Sequence, residues 1–324
     1  MRDYVITTDN NSDLPEEYYK EHGVGCTYLS YSMDGKNYTH GNFLPDHEFY
    51  EAMRKGSLPT TAQVNPDAAR ALMEPCLKEG KDVLHIAFSG GLSGSCNSAR
   101  IAAEELMEEY PERSIKVIDS LSASVGQGLL VYLAQQRKEA GEDMDTVAEW
   151  VEENKKYMVH LFTVDDLFHL HRGGRVSKTT AIVGSMLNIK PILHVDGEGK
   201  LVNIGKSRGR KKALQELVNL MEEKLGRYKA SCHTIFISHG DCEEDAKYVE
   251  KKVKENKPAV AEKPVIAKPQ KKSAPVIDEE STILSSEDDD DFIPIEDLPS
   301  EKIELPTELF GKFEATKAET AQAA

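Results

Sequence analysis

Short β-rich runs alternate with helical patterns along the chain, and this alternation constrains the fold more than any other feature. Between two of the runs, apolar residues over 99–110 recur at the i, i+3, i+4, i+7 spacing of a helix with one buried face. Strands separated by helices predict an α/β protein with an open, mostly parallel sheet. The runs are YVITTD (4–9), VLHIAF (83–88), SIKVID (114–119), YMVHLFTV (157–164) and TIFISHG (234–240).

Local signals predict three further elements. Thr146 and Glu149 have the spacing of a capping box ahead of an apolar stripe, which predicts a helix with Thr146 as its N-cap. A second helical pattern covers 211–225, and VDGEGKL (195–201) is typical of a turn between two strands.

Composition changes near residue 255 and marks a boundary. Seven of the chain's 14 prolines lie between Pro258 and Pro306, together with the acidic run SSEDDDD. Such a segment buries too little apolar surface to offset the entropy of ordering it, so we predict a disordered, Pro-rich, acidic tail over 257–324. The remainder divides into an N-terminal α/β domain (1–155) and a second, smaller α/β domain (156–256).

Charge and cysteine usage exclude several classes of protein. The chain has 40 basic and 56 acidic residues, a net charge of -16, whereas a nucleic-acid-binding protein needs a surplus of Lys and Arg. Its five cysteines include no CxxC pair, which argues against a zinc ribbon or a disulfide framework. No signal peptide and no run of 18 apolar residues is found, so we expect a cytoplasmic protein without a transmembrane segment.

The loop SGGLSGS (89–95) lies between a predicted strand and the striped helix. Its glycines let the backbone approach a ligand, while Ser93 and Ser95 place hydroxyls beside the unpaired N–H groups of a helix start. This arrangement favours an anionic ligand. A plain N-cap role for Ser93 or Ser95 explains the same residues equally well.

Two other loops precede helices in the same way. PTTAQVNP (59–66) carries two adjacent hydroxyls, for which an N-cap role is the simpler interpretation. In DSLSASVGQG (119–128), Asp119 has the position to bind either a loop or a ligand, and binding to a loop is again the simpler interpretation.

Several cations follow in the second half of this acidic chain. Such clusters face an anion or an acidic partner in some proteins and solvent in most. They are Arg172, Arg175, Lys178, Lys190, Lys206, Arg208 and Arg210.

Familiar catalytic patterns are absent from the sequence. SGGLSGS is not a GxSxG nucleophile elbow, and neither a GxxxxGK[ST] phosphate loop nor an HExxH zinc motif occurs. No histidine has a carboxylate or cysteine at metal-ligand spacing, so we expect no metal and no cofactor. His239 is open to two interpretations, a site residue or an ordinary loop histidine.

The order of these segments resembles the DegV family over roughly residues 1–255. The resemblance implies a two-domain DegV-like α/β fold and the binding of a long-chain fatty acid. The best understood members of the family are the fatty-acid-binding subunits of bacterial fatty acid kinase. In order, the matching segments are TDNNSDLP, PTTAQ, SGGLSGS, DSLSASVGQG, LHRGGRVSK, NIKPIL with VDGEGKL, and KSRGRKKA.

The resemblance also assigns residues. It implies that Thr61 and Ser93 hydrogen-bond to the fatty acid carboxylate and that Arg208 works with the kinase partner. Ala62 and Val64 stand where the family usually has serine and proline, and neither removes a head-group hydroxyl. The family's closing His-x-Gly-Pro-Gly segment has no counterpart in this chain, which puts in doubt the last strand of the second domain and the transfer of phosphate.

The implied function is that of a carrier and not of an enzyme. Such a carrier presents the carboxylate of its bound fatty acid to a separate ATP-dependent kinase subunit, which forms an acyl phosphate for phospholipid synthesis. The alternative is a stand-alone phosphotransferase or hydrolase with Ser93 as nucleophile, assisted by Asp119 or His239. No activating base stands at a recognisable spacing from Ser93, which favours the carrier.

Overall fold

The computed structural model describes residues 2–165, 167–177, 188–226, 234–256 and 316–317. By its internal contacts the chain divides into two units, residues 1–257 with 314–324, and residues 258–313. All described residues belong to the first unit. Apart from residues 316 and 317, the predicted tail over 257–324 lies outside the described residues.

The described elements alternate between strands and helices in the first half of the chain. In chain order the strands are β1 (Tyr4–Asp9), β2 (Gly25–Thr27), β3 (Ser30–Met33), β4 (Lys36–Tyr38), β5 (Thr60–Ala62), β6 (Asp82–Ala87), β7 (Ile115–Asp119), β8 (Ile189–Val195), β9 (Leu201–Arg208), β10 (Ser238–His239) and β11 (Thr316–Lys317). The helices are α1 (Glu16–His22), α2 (Asp46–Arg54), α3 (Pro66–Lys78), α4 (Ser95–Glu109), α5 (Ser124–Glu139), α6 (Met144–Asn154), α7 (Phe168–Arg172), α8 (Arg210–Leu225) and α9 (Glu243–Asn256).

The main sheet is parallel and has the strand order β2-β1-β6-β7. β6 lies next to β1 and β7 and is buried at all six positions. A strand that is buried on both faces reads as a continuous apolar run, as VLHIAF does. The predicted parallel sheet is therefore confirmed, and β1, β6 and β7 lie within one residue of their predicted bounds.

Helices cover both faces of this sheet. Successive β6 side chains point to opposite faces, so Leu84 packs with Leu130 and Val147 of α5 and α6. Val83 packs on the other face with Ala102 of α4 and with residues of α3. Burial on both faces holds the carboxyl ends of the strands, and the loops that follow them, in fixed positions.

A small antiparallel sheet, β4-β3-β5, follows β2. Its strand β5 places Thr61 opposite Tyr31 of β3. Tyr31 is buried and stacks on Tyr38 and Phe43, while Phe49 of α2 meets its ring edge-on. This aromatic cluster gives the small sheet a core of its own.

The second half centres on the β8–β9 hairpin. The two strands are antiparallel, with an irregularity between Ile192 and Leu193, and the predicted turn between them is confirmed. The predicted helix over 211–225 is also confirmed as α8. The domain boundary at residue 155 stays a prediction.

Three expectations from local sequence are wrong. The run 157–164 is not a strand, because within the described ranges only Phe162 finds a partner, as an isolated bridge to Leu193, while Val159 is 54% exposed. The run 234–240 is strand only at β10, which pairs in parallel with β11.

The third wrong expectation concerns the start of α6. The N-cap of α6 is Asp143, whose carboxylate accepts from Thr146 N at 2.8 Å. Aspartate is the better cap, so Thr146 lies inside the helix.

Candidate ligand-binding site

The loop 89–95 connects β6 to α4 at the carboxyl edge of the parallel sheet. α4 begins at Ser95 with Gly94 as its N-cap, and no side chain accepts from its first turn in the capping position. The interpretation of Ser93 or Ser95 as a plain N-cap is therefore wrong. Ligands of open α/β sheets collect at this edge.

The first turn of α4 contains backbone N–H groups that have no acceptor among the described residues. Across the described ranges, the amides of Gly94, Cys96 and Asn97 donate to no protein acceptor, and this turn holds no acidic residue. Unpaired N–H groups and the positive end of the helix dipole both favour an anion at this point. The turn thus offers an anion neutral donors without a fixed counter-charge.

The Ser93 hydroxyl stands beside these amides. Its Oγ lies 2.9 Å from Ser95 Oγ and accepts from Ser95 N at 3.3 Å, while Ser95 Oγ accepts from Val64 N at 3.1 Å. In the arrangement where Ser95 donates to Ser93, the proton of Ser93 is left for a ligand oxygen.

The loop after β5 is joined to the same turn. Besides the Val64–Ser95 hydrogen bond, Gln63 Nε2 donates to Ser98 Oγ at 3.1 Å. Thr61, three residues before Val64, is exposed, and its hydroxyl has no hydrogen-bond partner in the described part of the chain. The loop that follows Thr61 and the loop that carries Ser93 are therefore in contact. The contact uses Gln63 and Ser98, to which the sequence assigned no role, and Ser95.

The N-cap interpretation of PTTAQVNP is also wrong. α3 is capped by Asn65, whose side chain accepts from Ala68 N at 2.8 Å. Since asparagine fills the cap, Thr60 and Thr61 remain in β5 with their hydroxyls free of that role.

Asp119 serves a loop. Its carboxylate accepts from Gly90 N at 3.1 Å and from Leu121 N at 3.0 Å, which confirms the simpler of the two interpretations. The side chain lies so close to Gly90 that a β-carbon there would overlap it. Asp119 thereby fixes the start of the loop that leads to Ser93.

Asp9 is a second carboxylate at the same edge of the sheet. It is buried at the end of β1 and accepts from Phe88 N at 2.8 Å, from Asn11 N at 3.2 Å and from Gln127 Nε2 at 3.3 Å. Burial raises the pKa of Asp9, while these donors oppose the shift. Asp9 therefore links β1, β6 and α5 just below the loop. The sequence signals for it were an acidic residue at the end of a predicted strand and its place in TDNNSDLP, the first segment that resembles the DegV family.

The β8–β9 turn and Arg175 reach the loop from the second half of the chain. Ser89 Oγ donates to Gly199 O at 2.7 Å, and Arg175 Nε donates to Leu92 O at 3.1 Å. Leu201 packs against Phe88 and Leu92 beneath them. Distant parts of the sequence therefore share in holding the loop.

Arg208 lies elsewhere, at the far end of β9 and opposite Ile189. It is exposed and forms no ion pair with any described residue, and Lys206 is exposed two positions earlier. By contrast, Lys190 pairs with Asp165 at 2.7 Å. Arg210 likewise pairs with Asp245 at 2.7 Å, and Lys178 is outside the described residues.

His239 orders a turn. Its Nδ1 accepts from Cys242 N at 3.2 Å, between β10 and α9. Neither His239 nor Asp119 hydrogen-bonds to Ser93 in the described structure. The base that a Ser93 nucleophile would need is therefore not supplied by these two residues.

Two kinds of feature are absent from the described residues. No three His, Cys, Asp or Glu side chains there gather closely enough to hold a metal ion. Among the described helices, none has the length and apolar character needed to cross a bilayer.

The fold and the site define an α/β protein with a candidate ligand site at the carboxyl edge of its sheet. Residues 3–267 match the family described as "Uncharacterised protein, DegV family". The chain belongs to the DegV family, and the predicted DegV-like α/β fold is confirmed.

Relatives of known sequence or structure agree with this assignment. A DegV domain-containing protein of Clostridium perfringens is 42% identical over 260 residues, which are 80% of this chain and 89% of the relative. A solved structure titled as fatty acid binding by a DegV family protein from Thermus thermophilus is 29% identical, with a TM-score of 0.66 over 80% of this chain and 90% of that one. A DegV family protein from Eubacterium eligens, loaded with heptadecanoic acid, is 25% identical, with a TM-score of 0.68 over 78% and 89% of the two chains.

Proposed function

We propose that the protein binds a long-chain fatty acid and that Thr61 and Ser93 hydrogen-bond to its carboxylate. The observation that carries the proposal is the first turn of α4, where unpaired amides stand beside the Ser93 hydroxyl. The hydrogen bond from Val64 to Ser95 brings the Thr61 loop to the same turn. Fatty acids in the related solved structures support the choice of ligand.

A fatty acid suits such a site because its two ends need different surroundings. Neutral hydroxyls and amides hold the carboxylate and set its orientation. Burial of the acyl chain contributes about 0.8 kcal/mol per methylene, or roughly 10 kcal/mol for a sixteen-carbon chain before entropic costs. The chain therefore supplies most of the affinity and the loops supply the geometry.

We further propose that the bound acid is presented to a separate ATP-dependent kinase subunit, which forms the acyl phosphate. The exposed guanidinium of Arg208, without an ion pair among the described residues, supports a role toward an anionic group of that partner. The lack of a phosphate loop in the sequence fits a division of labour between two subunits. No observation on this chain favours the hydrolase or phosphotransferase alternative.

Native mass spectrometry of the purified full chain tests the binding proposal. We expect a co-purified or added fatty acid on the wild type, and at least about a hundredfold weaker binding after Thr61→Ala with Ser93→Ala, since each of the two lost hydrogen bonds to a charged group is worth about 1.5–3 kcal/mol. Thr60→Ala is the matched control, because Thr60 is the neighbouring exposed threonine on β5 and points to the other face of the strand. A wild-type protein that takes up no fatty acid overturns the proposal.

A further inference from the structure

The turn between β8 and β9 is a rigid unit. Gly199 N donates to Asp196 O at 3.0 Å, and the Asp196 carboxylate accepts from Glu198 N and Lys200 N at 2.9 Å each. Because these hydrogen bonds fix the turn internally, a displacement of one of its atoms moves the whole hairpin.

This turn packs directly on the loop that leads to Ser93. Ser89 is fully buried, and its Oγ donates to Gly199 O at 2.7 Å while accepting from Gly91 N at 3.1 Å. The carbonyl of Ser89 accepts from Leu92 N at 3.0 Å and from Ser93 N at 3.1 Å. One buried serine thus joins the hairpin turn to the backbone of Ser93.

The contact leaves no room for adjustment. A β-carbon on Gly91 would lie 2.7 Å from Glu198 O. A β-carbon on Gly199, whose φ is 73°, would overlap Ser89 Oγ and lie 3.0 Å from Leu121 Cα. Gly91 and Gly199 have no side chains, so the backbone of the turn packs directly on the backbone of the loop. This explains why the hairpin approaches the loop so closely.

We propose that the contact between Gly199 of the β8–β9 turn and Ser89 sets the position of the Ser93 hydroxyl in the carboxylate site, and that Ser89 is a positioning residue. This inference rests on the proposed fatty acid function. We expect the hairpin to affect the binding of the carboxylate head group alone. The turn contacts residues 89–91 of the loop, whereas the acyl chain contributes to the affinity through burial elsewhere.

A pair of glycines in the same turn makes the test specific. Gly199→Ala forces a methyl group against Ser89, whereas a β-carbon on Gly197 meets no described atom within 4 Å. The two variants carry the same substitution two residues apart. Dissociation constants of palmitic acid and of hexadecanol, which has the same chain length and no carboxylate, are measured for the full-length wild type and both variants, with thermal unfolding alongside.

We expect Gly199→Ala to weaken palmitic acid binding by at least about tenfold, the size of one lost hydrogen bond to a charged group. Hexadecanol affinity should change by less than about threefold, and Gly197→Ala should alter neither ligand. Ser89→Ala, which removes the hydroxyl without adding volume, should repeat the selective loss if Gly199→Ala proves too unstable to purify.

Equal weakening of both ligands, or unchanged palmitic acid binding in Gly199→Ala and Ser89→Ala, overturns the positioning role. A wild type that binds neither ligand is a different result, because it overturns the proposed function itself. The two failures are therefore distinguishable in one set of titrations.

Discussion

The amide of Gln63 lies across Gly94 so closely that a β-carbon at Gly94 would overlap it. From there Gln63 Nε2 donates to Ser98 Oγ at 3.1 Å in the first turns of α4. Contact between the Thr61 loop and the Ser93 loop thus depends on a glycine at the N-cap, where serine or aspartate would ordinarily be the stronger choice.

Gly94→Ala should break the Gln63 contact between the two loops. The added methyl displaces the exposed Gln63 side chain from Ser98, and we expect a loss of about 0.5–1.5 kcal/mol in the free energy of unfolding together with several-fold weaker fatty acid binding. Urea denaturation and ligand titration measure the two effects. The double variant Gly94→Ala with Gln63→Ala removes the obstacle, so its stability should exceed that of Gly94→Ala. A double variant less stable than the single one contradicts this account.

Gly126→Ala should destabilise the start of α5. The ring of His160 lies against Gly126 where a β-carbon would stand, and His160 Nδ1 is 2.9 Å from Met158 O. We expect a loss of about 1–3 kcal/mol from overpacking. His160→Ala opens space for the methyl, so the double variant should lose less than the sum of the single losses. Gly205→Ala is the control, because its β-carbon would lie 3.7 Å from Ile192 Cβ, an ordinary contact.

His85 makes the stability of the fold depend on pH. It is buried in β6 with its Nδ1 3.0 Å from Thr7 Oγ1, and burial lowers the pKa of His85 to about 4. The unfolded chain takes up this proton near the ordinary pKa of about 6.5, before the folded protein does. The stabilisation is therefore fully present above about pH 6.5 and is lost as the pH falls toward 4, by about 3 kcal/mol in all.

Urea denaturation between pH 7 and pH 4 checks this dependence. His85→Gln should flatten the decline relative to the wild type. An undiminished decline in His85→Gln would assign the pH dependence to other groups.

Arg208→Ala should separate fatty acid binding from phosphorylation. Arg208 lies at the end of β9 away from the hairpin turn, so we expect its loss to leave the fatty acid dissociation constant within about twofold and to reduce acyl phosphate formation by at least about tenfold. The assay combines the loaded protein with a bacterial fatty acid kinase subunit and ATP. Lys206 is a neighbouring exposed cation on the same face of β9, so Lys206→Ala is the control. It measures how much of the reduction in acyl phosphate formation comes from the loss of any positive charge at this place. Undiminished acyl phosphate formation in Arg208→Ala counts against its partner role.

The main sheet was predictable because its central strands, β1 and β6, are buried on both faces. A run such as VLHIAF has no other stable place in a protein of this size, and the helix over 99–110 carries its own periodic stripe. The run 157–164 has the same apolar character, yet in the described structure only Phe162 pairs with a neighbouring strand. Whether this run forms a strand depends on pairing partners far away in the sequence, which local β-propensity does not encode.

The site was predictable only in part, for a related reason. Glycines and serines between a strand and a helix indicate a ligand loop, and Asp119 followed from its place at the end of a strand. Arg175 was predicted only as a cation that could face an anion or a partner, and nothing marked Gln63 or Gly199 individually. Each of the three acts on the loop from another part of the chain through a backbone contact or a single hydrogen bond.

The hydrogen bond between Ser89 and Gly199 joins residues 110 positions apart. Contacts of such long sequence separation form late in folding, after the entropy of closing a large loop has been overcome. On the ribosome, the helix turn at Ser93 is synthesised well before the hairpin that completes its setting. Under the proposed positioning role, a nascent chain therefore completes its carboxylate site only when synthesis has passed β9.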